Sequence, residues 1–559
     1  MKSKKIKALA ISMAVLVTGA TFVGCGNKTG TSAVKQVVTY NLGADPKTID
    51  PGLNDSLEGS NVISNAFEGL LRLDENSQPV AGVAEKWEIS QDGLTYTFHL
   101  RKDAKWSDGK PVKAGDFEYA WKRALAPETA SSYAYQLYYL KNAQGYNEST
   151  LPADKKTPGV APATANDVGV KAVDDYTLQV TLVSPTQYFL SLTTSPTYAP
   201  LRKDIVDKDP KGWATKASTY ITDGPFKMKE WKAKDTMVFV KDPNYWNAKN
   251  IKLDQLNYKM LDQESSYMSA FTTGQIDVID SPPAQQIPQL LKNGTAKSYP
   301  NLGTYYYCIN ISPEAEKLDP AAAKVLKDPR VRKAINLAID RNQIINNVTK
   351  AGQKPATSFV PSGIIMSDGK DFKTKDYFKA EGDVTEAKRL LAEAGYPDGK
   401  GFPAIELIYN TMQTHQDIAQ AIQDMLRKNL GIQLNLRNVE RKVHVTDANT
   451  HQFIMIREGW SADYADPMTF LDMWVTGGGN NFAGYSNPEY DKLIAQAKAE
   501  TNAQKRSDDM HAAEDILMND MPIIPIYEYN FITCIKPSVK GVYRSPLGFI
   551  FFDKAYVQK

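Results

Sequence analysis

Alternation of apolar and polar positions predicts β-strands at several places along the chain. Residues 93–100 and 176–182 alternate with a period of two, and residues 37–42 are rich in β-forming side chains. The turn residues 91–93 stand directly before the first alternating segment, so that segment is predicted to be a strand of a hairpin.

Two other segments repeat apolar residues with helical spacing. Asp116 is the predicted N-cap of a helix that ends at Leu125. Its apolar face is formed by Phe117, Trp121, Ala124 and Leu125. A second helix is predicted from Asp328, a cap, followed by proline at the first helical position and a stripe of Val331, Ile335, Ala338 and Ile339. The mixture of strands and helices predicts an α/β or α+β protein with several lobes.

Size and charge limit the possible classes of protein. The chain has 559 residues, of which 42% are hydrophobic and 23% are charged, with a net charge of +2. That length predicts about three or four domains. A nearly neutral balance argues against a nucleic-acid partner, because proteins that neutralise many phosphates have a clear excess of lysine and arginine.

The first 24 residues have the features of an export signal. Four lysines precede an apolar stretch at residues 8–17, and small residues stand before Cys25. This arrangement is similar to a bacterial lipobox, in which the cysteine receives lipid, although Phe22 replaces the usual leucine. The alternative is an ordinary signal peptide with an incidental cysteine. With lipid on Cys25, residues 25–37 would form a flexible tether to the cell membrane.

No pattern for a cofactor, a metal or catalysis is present. Cys308 and Cys534 are far apart and belong to no metal or redox motif, so we expect two free buried thiols. The five histidines are scattered, and no cluster has the spacing of metal ligands. The glycines at 477–479 lack the lysine of a phosphate-binding loop and are predicted to form a turn.

Several runs of residues resemble the signature of one protein family. The runs are residues 81–89, 96–109, 112–121, 242–246, 305–310, 328–341, 387–396 and 459–464. These runs resemble the family 5 extracellular solute-binding proteins of peptide ABC importers, most closely the oligopeptide-binding members, and the similarity extends over roughly residues 35–559. The resemblance implies a binding protein that captures oligopeptides and delivers them to the transmembrane subunits of an ABC permease.

The family fold implied by this resemblance is an α/β fold like that of type II periplasmic binding proteins. It has three lobes, a two-strand hinge and a ligand cleft. A discontinuous lobe I would comprise residues 38–71, 206–302 and 525–559. Lobe II would be inserted at 72–205, and lobe III would span 303–524. The hinge strands would lie near 305–310 and 521–527, both of which are rich in β-forming residues.

The resemblance also implies residues of a ligand site. Asp463 matches the family aspartate that receives the peptide α-ammonium, although aspartate is also a common turn former. Residues 453–456 are predicted to form an apolar strand and Asp466-Pro467 to cap a helix, so Asp463 is expected between a strand end and a helix start. Gly459 and Ser461 match positions whose main chain pairs with an extended peptide, and Trp460 is either a pocket wall or a core residue. These roles suit a receptor for many peptides, because all peptides share a backbone and two charged termini.

Four further positions match family residues that contact ligand. Arg457 matches an arginine that pairs with ligand carboxylates. The alternative is that its charge is solvated or forms an ion pair with Glu458. Asn410 and His415 match residues that reach the peptide or its C-terminal carboxylate, although Asn410 could instead cap the next helix. Among neighbouring tyrosines, Tyr135 is the best match for the one that contacts the ligand backbone.

Departures from the family pattern leave the ligand's length and terminal anchoring open. A second family arginine matches Ala448, and a pocket tryptophan matches Arg441. An early glutamate of the family falls at Gly59 or is displaced to Glu58.

Two classes of function remain at this stage. The first is a monomeric binding protein without a cofactor, with an oligopeptide as ligand or, on the same fold, a dipeptide, a signalling peptide, nickel, haem or a sugar. The second is an extracellular peptidase, which lacks support because no nucleophile or metal motif is found.

Overall fold

The computed structural model describes residues 34–75, 78–157 and 159–559. The signal segment 1–24, Cys25 and most of the predicted tether therefore lie outside the described residues. Gln36–Lys559 form one structural unit. None of the helices in the described ranges is long and apolar enough to cross a membrane.

Strands and helices follow each other irregularly along this unit. The strands are β1 (Val37–Asn41), β2 (Leu71–Leu73), β3 (Pro79–Ala81), β4 (Ala84–Ile89), β5 (Thr95–Leu100), β6 (Val170–Asp174), β7 (Thr177–Thr181), β8 (Phe226–Lys232), β9 (Thr236–Lys241), β10 (Gln255–Lys259), β11 (Val278–Asp280), β12 (Ala296–Ile309), β13 (Lys354–Pro355), β14 (Ile405–Asn410), β15 (Leu434–Val439), β16 (Met455–Ser461), β17 (Ile523–Ile535), β18 (Val539–Lys540), β19 (Tyr543–Arg544), β20 (Ile550–Phe551) and β21 (Tyr556–Val557). The helices are α1 (Leu57–Ala66), α2 (Ala114–Leu125), α3 (Ala143–Asn147), α4 (Phe189–Leu192), α5 (Lys203–Val206), α6 (Glu264–Thr272), α7 (Ile287–Lys292), α8 (Pro313–Leu318), α9 (Pro320–Leu326), α10 (Pro329–Leu337), α11 (Arg341–Gln343), α12 (Val384–Glu393), α13 (Gln413–Leu430), α14 (Arg441–Asn449), α15 (Met468–Leu471), α16 (Pro488–Ala499) and α17 (Ala503–Asp520).

A mixed sheet of eleven strands dominates the part of the chain that the structure describes. Its order is β15-β14-β16-β12-β17-β11-β1-β10-β9-β8, and β13 pairs with β17. β14 is parallel to β15 and β16, and β1 is parallel to β10 and β11. The other neighbours are antiparallel.

The long strands β12 and β17 connect the two halves of this sheet. They contain 14 and 13 residues and pair with each other over most of that length. Near one end β17 also pairs with β11, and near the other end β12 pairs with β16. The strands predicted near residues 305–310 and 521–527 therefore form as parts of β12, which ends at Ile309, and β17, which begins at Ile523.

The remaining predicted elements form close to their expected places. The segments at 37–42, 93–100 and 176–182 become β1, β5 and β7, and β5 pairs antiparallel with β4 and β7 in a four-stranded sheet. α10 begins at Pro329, with the Asp328 carboxylate accepting the Arg330 N–H at 2.9 Å. Both predicted helices bury their apolar faces.

The predicted N-cap of α2 is wrong. The helix begins at Ala114, and Lys113 occupies the cap position. Asp116 lies in the first turn, where its carboxylate accepts hydrogen bonds from the Lys113 N–H at 2.9 Å and the Trp106 indole at 3.1 Å. The aspartate does satisfy a free N–H at the helix start, but from inside the helix.

Candidate functional site

The strand β16 forms the centre of the candidate site. It runs from Met455 to Ser461, and Asp463 follows its last residue by two positions. A short helix, α15, begins at Met468, and the Asp466 carboxylate accepts the Met468 N–H at 2.9 Å. Asp463 therefore lies between a strand end and a helix start, as the sequence predicts.

One edge of β16 lacks a strand partner along its second half. On one side, β12 pairs with all of β16, from Met455 to Ser461. On the other side, the pairing with β14 is limited to Met455 and Ile456. Among the described strands, none continues that ladder beyond Ile456.

Hydrogen bonds at both ends of β16 show which peptide groups face this open edge. The Ile454 carbonyl and the Ala462 N–H bond to the β12 side, at 3.0 and 2.7 Å. Backbone groups alternate in direction along a strand, so those of Arg457, Gly459 and Ser461 face away from β12. The Arg457 carbonyl accordingly accepts a hydrogen bond from a histidine of α14 at 2.8 Å. The peptide groups of Gly459 and Ser461 are thus oriented to pair with an added strand.

The Asp463 carboxylate has no cation beside it. None of the ion pairs within the described ranges includes this side chain, and its backbone N–H is held by the Thr469 hydroxyl at 3.3 Å. Burial raises the pKa of Asp463 to about 6 because the charged form loses hydration. A half-buried carboxylate without a counter-ion is suited to receive a cationic group of a ligand.

Two cavities meet at Asp463. The first has a volume of about 290 Å³ and is also lined by Trp460, Tyr135 and Tyr139. The second has a volume of about 400 Å³ and is also lined by Ser461. Both contain residues from the predicted lobe II and lobe III segments, so the aspartate lies in a cleft between these parts of the chain.

Arg457 occupies a second polar centre, near the other end of β16. Its guanidinium donates to the Asn410 side chain at 3.4 Å and to the Tyr529 hydroxyl at 3.2 Å, and lies 4.7 Å from the centroid of the Tyr305 ring. Its Nε atom is buried without a hydrogen-bond partner in the described structure. This cation therefore lacks a carboxylate partner and retains an unused donor.

Two neutral histidines lie beside this centre. Burial lowers the pKa of His415 to about 3, with a further contribution from Arg457. Burial also lowers the pKa of His444 to about 4, whereas it raises the pKa of Glu458 to about 7. His415 Nδ1 lies 3.2 Å from the Tyr305 hydroxyl. The neutral ring of His415 can act as a hydrogen-bond partner without adding charge.

The helix-cap alternative for Asn410 is excluded by the geometry. Met412 is the N-cap residue of α13, and no side chain caps that position. Asn410 instead ends β14 and accepts the hydrogen bond from Arg457. Arg457 is not a fully solvated charge, because its side chain is half-buried and its guanidinium lies against the Tyr305 ring.

The structure gives Gly459 a role that the sequence did not indicate. A Cβ atom there would lie 2.0 Å from the Tyr529 hydroxyl. The missing side chain therefore makes room for Tyr529, which holds Arg457. The Trp460 indole, which lines the first cavity, donates to the Thr469 hydroxyl at 3.4 Å.

An aromatic cluster was missed from the sequence. Tyr188 stacks on Tyr464 with 4.4 Å between ring centroids, and Tyr139 contacts both rings edge-on. Arg506 lies 5.4 Å from the Tyr188 ring and forms a buried bidentate pair with Asp466 at 2.7 and 2.8 Å. These tyrosines are far apart in the sequence and form no periodic pattern, so the cluster could not be predicted. The fold brings them together near Asp463.

Comparison with known proteins identifies the family. The family model of "Bacterial extracellular solute-binding proteins, family 5 Middle" matches residues 78–482. This chain belongs to family 5 of the bacterial extracellular solute-binding proteins. The family predicted from the sequence is confirmed, and the members of this family are binding proteins rather than enzymes.

Curated relatives in this family match almost the whole chain. The oligopeptide-binding protein OppA of Bacillus subtilis is 38% identical, with 93% of each chain covered. The dipeptide-binding protein DppE of the same organism is 36% identical, with 94% of this chain and 93% of the relative covered.

A solved structure that is similar to this chain also confirms the fold class. The unliganded open form of the MppA periplasmic murein tripeptide binding protein has a TM-score of 0.79 and 34% identity, and the match covers 94% of this chain and 98% of that one. The expected α/β fold of the periplasmic-binding-protein type is therefore confirmed.

Proposed function

We propose that this protein is the extracellular substrate-binding component of an ABC importer and captures oligopeptides by their termini and backbone. The observation that supports this most directly is the Asp463 carboxylate, which lines two cavities and has no counter-ion among the described residues. A peptide α-ammonium would supply the missing charge through charge-assisted hydrogen bonds.

The open edge of β16 suits the backbone of such a ligand. An extended peptide added beside Gly459 and Ser461 would continue the sheet by strand addition, which gives affinity without selecting side chains. Trp460 and Tyr135 line the first cavity and would form the walls around the first residues of the ligand.

The Arg457 centre would receive the carboxylate end of the peptide. Arg457 is a half-buried cation that belongs to no ion pair in the described ranges, and Asn410 and His415 add neutral hydrogen-bonding groups beside it. Arg457 and Asp463 are six residues apart, which corresponds to at most about 20 Å, because the chain is extended only as far as Ser461. A dipeptide would span only about 7 Å, so this separation favours oligopeptides as ligands.

The proposed division into lobes is based on the family resemblance, and the strand order of the large sheet supports the proposed hinge. Lobe I would comprise residues 38–71, 206–302 and 525–559, lobe II 72–205 and lobe III 303–524. Only β12 and β17 pass through the large sheet from lobe I to lobe III, as far as the described strands are concerned. A rotation about these two strands would close the cleft on a peptide.

Peptide binding should therefore compact the protein. The resemblance to an unliganded open form supports an open cleft in the absence of ligand. With a mixed pool of oligopeptides in excess, small-angle scattering should give a smaller radius of gyration, and the melting temperature should rise because the ligand binds the native state. An equimolar mixture of free amino acids is the control. If neither quantity changes with peptides, oligopeptides are not the ligand class.

Peptide capture would not include cleavage, and the binding protein would act as a monomer. In the described structure, no group of three or more His, Cys, Asp or Glu side chains could hold a metal ion. Incubation with peptides followed by mass spectrometry separates the two functions, since a binding protein returns the peptides intact and a peptidase returns fragments.

The proposal includes a lipid anchor on Cys25 that keeps the protein beside its permease. Cys25→Ser should move the protein from the membrane fraction to the medium, because two acyl chains provide stable anchoring and their loss removes it. Peptide affinity, measured by calorimetry, should stay unchanged. A variant that remains in the membrane fraction after signal cleavage would exclude the anchor.

A further inference from the structure

The first residue of the folded unit is bonded to the last strand of the chain. The Gln36 carbonyl accepts the Asp254 N–H at 2.8 Å. The Gln36 side chain exchanges two hydrogen bonds of 2.9 Å with the backbone of Val557. The chain segment that carries the proposed anchor therefore joins the body beside β21.

Lysine side chains gather at the same place. Lys252 Nζ lies 4.3 Å from the centroid of the Tyr556 ring. Lys540 is the cross-strand partner of Tyr556, so its side chain lies on the same face of that ladder. Lys241 Nζ donates to the Ile251 carbonyl at 2.7 Å, next to Lys252 in the chain.

We call this group the entry patch. It consists of Lys241, Lys252 and Lys540, together with the exposed Lys249 and Lys559, which are three positions from Lys252 and Tyr556 in the chain. In the ranges that the structure describes, none of these lysines forms an ion pair, whereas the nearby Lys227 and Lys554 lie 3.4 and 2.6 Å from carboxylate oxygens. In the segments that carry these lysines, residues 241–254 and 539–559, the exposed negative charges are those of Asp254 and the terminal carboxylate. The patch therefore retains an excess of positive charge.

The rest of the folded unit has the opposite sign. Six of the 66 lysines and arginines lie in the first 35 residues, and none of the 64 acidic residues does. From Gln36 onward, acidic residues therefore outnumber basic ones by four. A negatively charged surface would attract the entry patch and repel the remainder of the body.

We propose that the entry patch is a docking surface for the anionic phospholipid headgroups of the membrane to which the proposed lipid anchor on Cys25 would tether the protein. Fully extended, residues 25–35 span at most about 40 Å. The patch thus stays near the bilayer, where it can approach to within the Debye length of about 8 Å at physiological salt. Tyr556 adds an amphipathic ring of the kind enriched at membrane interfaces.

Docking in this way would orient the body on the membrane. The lysines would lie against the headgroups at the end where the tether enters, and the body would have a preferred rather than a random orientation. The inference goes beyond peptide capture and does not depend on it.

The test is vesicle sedimentation with the Cys25→Ser chain from which the signal segment 1–24 has been removed, so that neither an acyl anchor nor the lysines of that segment contribute to binding. At low ionic strength this chain should bind vesicles with 30 mol% phosphatidylglycerol and not vesicles of pure phosphatidylcholine, with binding lost at high salt. Adding Lys249→Ala, Lys252→Ala and Lys540→Ala should lower the partition coefficient at least tenfold, since each lysine near an anionic surface contributes on the order of fivefold.

The matched control removes three exposed lysines from another loop, with Lys208→Ala, Lys211→Ala and Lys216→Ala. The control should bind anionic vesicles as the parent does. The proposal is overturned if the parent fails to bind anionic vesicles, if the patch variant binds like the parent, or if both triple variants lose the same affinity. The melting temperature and the peptide affinity of each variant should equal those of the parent. A loss of vesicle binding is then due to the missing lysines and not to unfolding or to damage at the peptide site.

Discussion

Asp463→Asn is expected to lower the affinity for peptides with a free α-amino group by roughly 30-fold to several thousand-fold. Asparagine keeps the shape of the side chain but removes its charge, so the peptide ammonium is held in the closed cleft without a counter-ion. Truncating one member of such a pair costs about 2–5 kcal/mol, and 1.4 kcal/mol corresponds to a factor of ten. Isothermal titration calorimetry with one defined peptide measures the change.

N-terminal acetylation of the same peptide supplies the control. The acetylated peptide should bind the wild type weakly and lose little more affinity in the variant, because it has no ammonium for the carboxylate to hold. The four measurements form a double-mutant cycle. A coupling energy near zero would assign Asp463 to the turn alone and place amine recognition elsewhere.

The same substitution should stabilise the protein when no peptide is present. Burial raises the pKa of Asp463 from 3.8 to about 6, so the native state binds the proton more tightly than the unfolded state. The stability of the wild type therefore falls as pH rises from about 4 to 6, and the full cost is present at pH 7. Replacing the aspartate by asparagine should therefore raise the free energy of unfolding at pH 7 by about 1–2 kcal/mol, a value that allows for screening of the charge by water in the cleft. Unfolding curves at pH 4 and pH 7 should show the difference only at pH 7.

Asp466→Ala should lower the free energy of unfolding by about 3–5 kcal/mol. The side chains of Asp466 and Arg506 are 9% and 3% exposed, so removing the aspartate leaves a buried charge without a partner. The variant should also bind peptides more weakly, because the same carboxylate holds the start of α15 directly after Asp463. Urea titration with fluorescence detection gives the stability change.

Asp424→Ala is the matched control for this substitution. Asp424 pairs with Arg427 at 2.7 Å on the surface of α13, and its side chain is 46% exposed. An exposed pair of this kind contributes at most about 1 kcal/mol. Equal losses of stability in the two variants would contradict the assignment of Asp466 as a buried anchor of the site.

Local patterns were sufficient for the elements that a few neighbouring residues define. The alternating strands β5 and β7 and the capped helix α10 form where the sequence predicts them, because their apolar spacing and cap residues act within one element. The cap of α2 was misplaced because an aspartate in the first turn also satisfies a free N–H at the helix start, here that of the cap residue Lys113.

The candidate site was likewise predictable only in part. Asp463 could be placed between a strand and a helix from sequence, and the family resemblance supplied its proposed role. The surroundings of Arg457 could not be predicted, because Tyr305, Asn410 and Tyr529 come from three different strands. The reason for a glycine at 459 likewise depends on Tyr529, which is 70 positions away.

The sequence by itself determined the family, the α/β class, the position of Asp463 and the absence of recognisable catalytic motifs. Each of these depends on which residue types follow one another along the chain. Only the tertiary structure decided that one edge of β16 is open, that Asp463 lacks a counter-ion among the described residues, and that lysines gather where the chain enters the fold. These properties depend on which distant segments come together and how much water they exclude, and such contacts leave no periodic trace in the order of the residues.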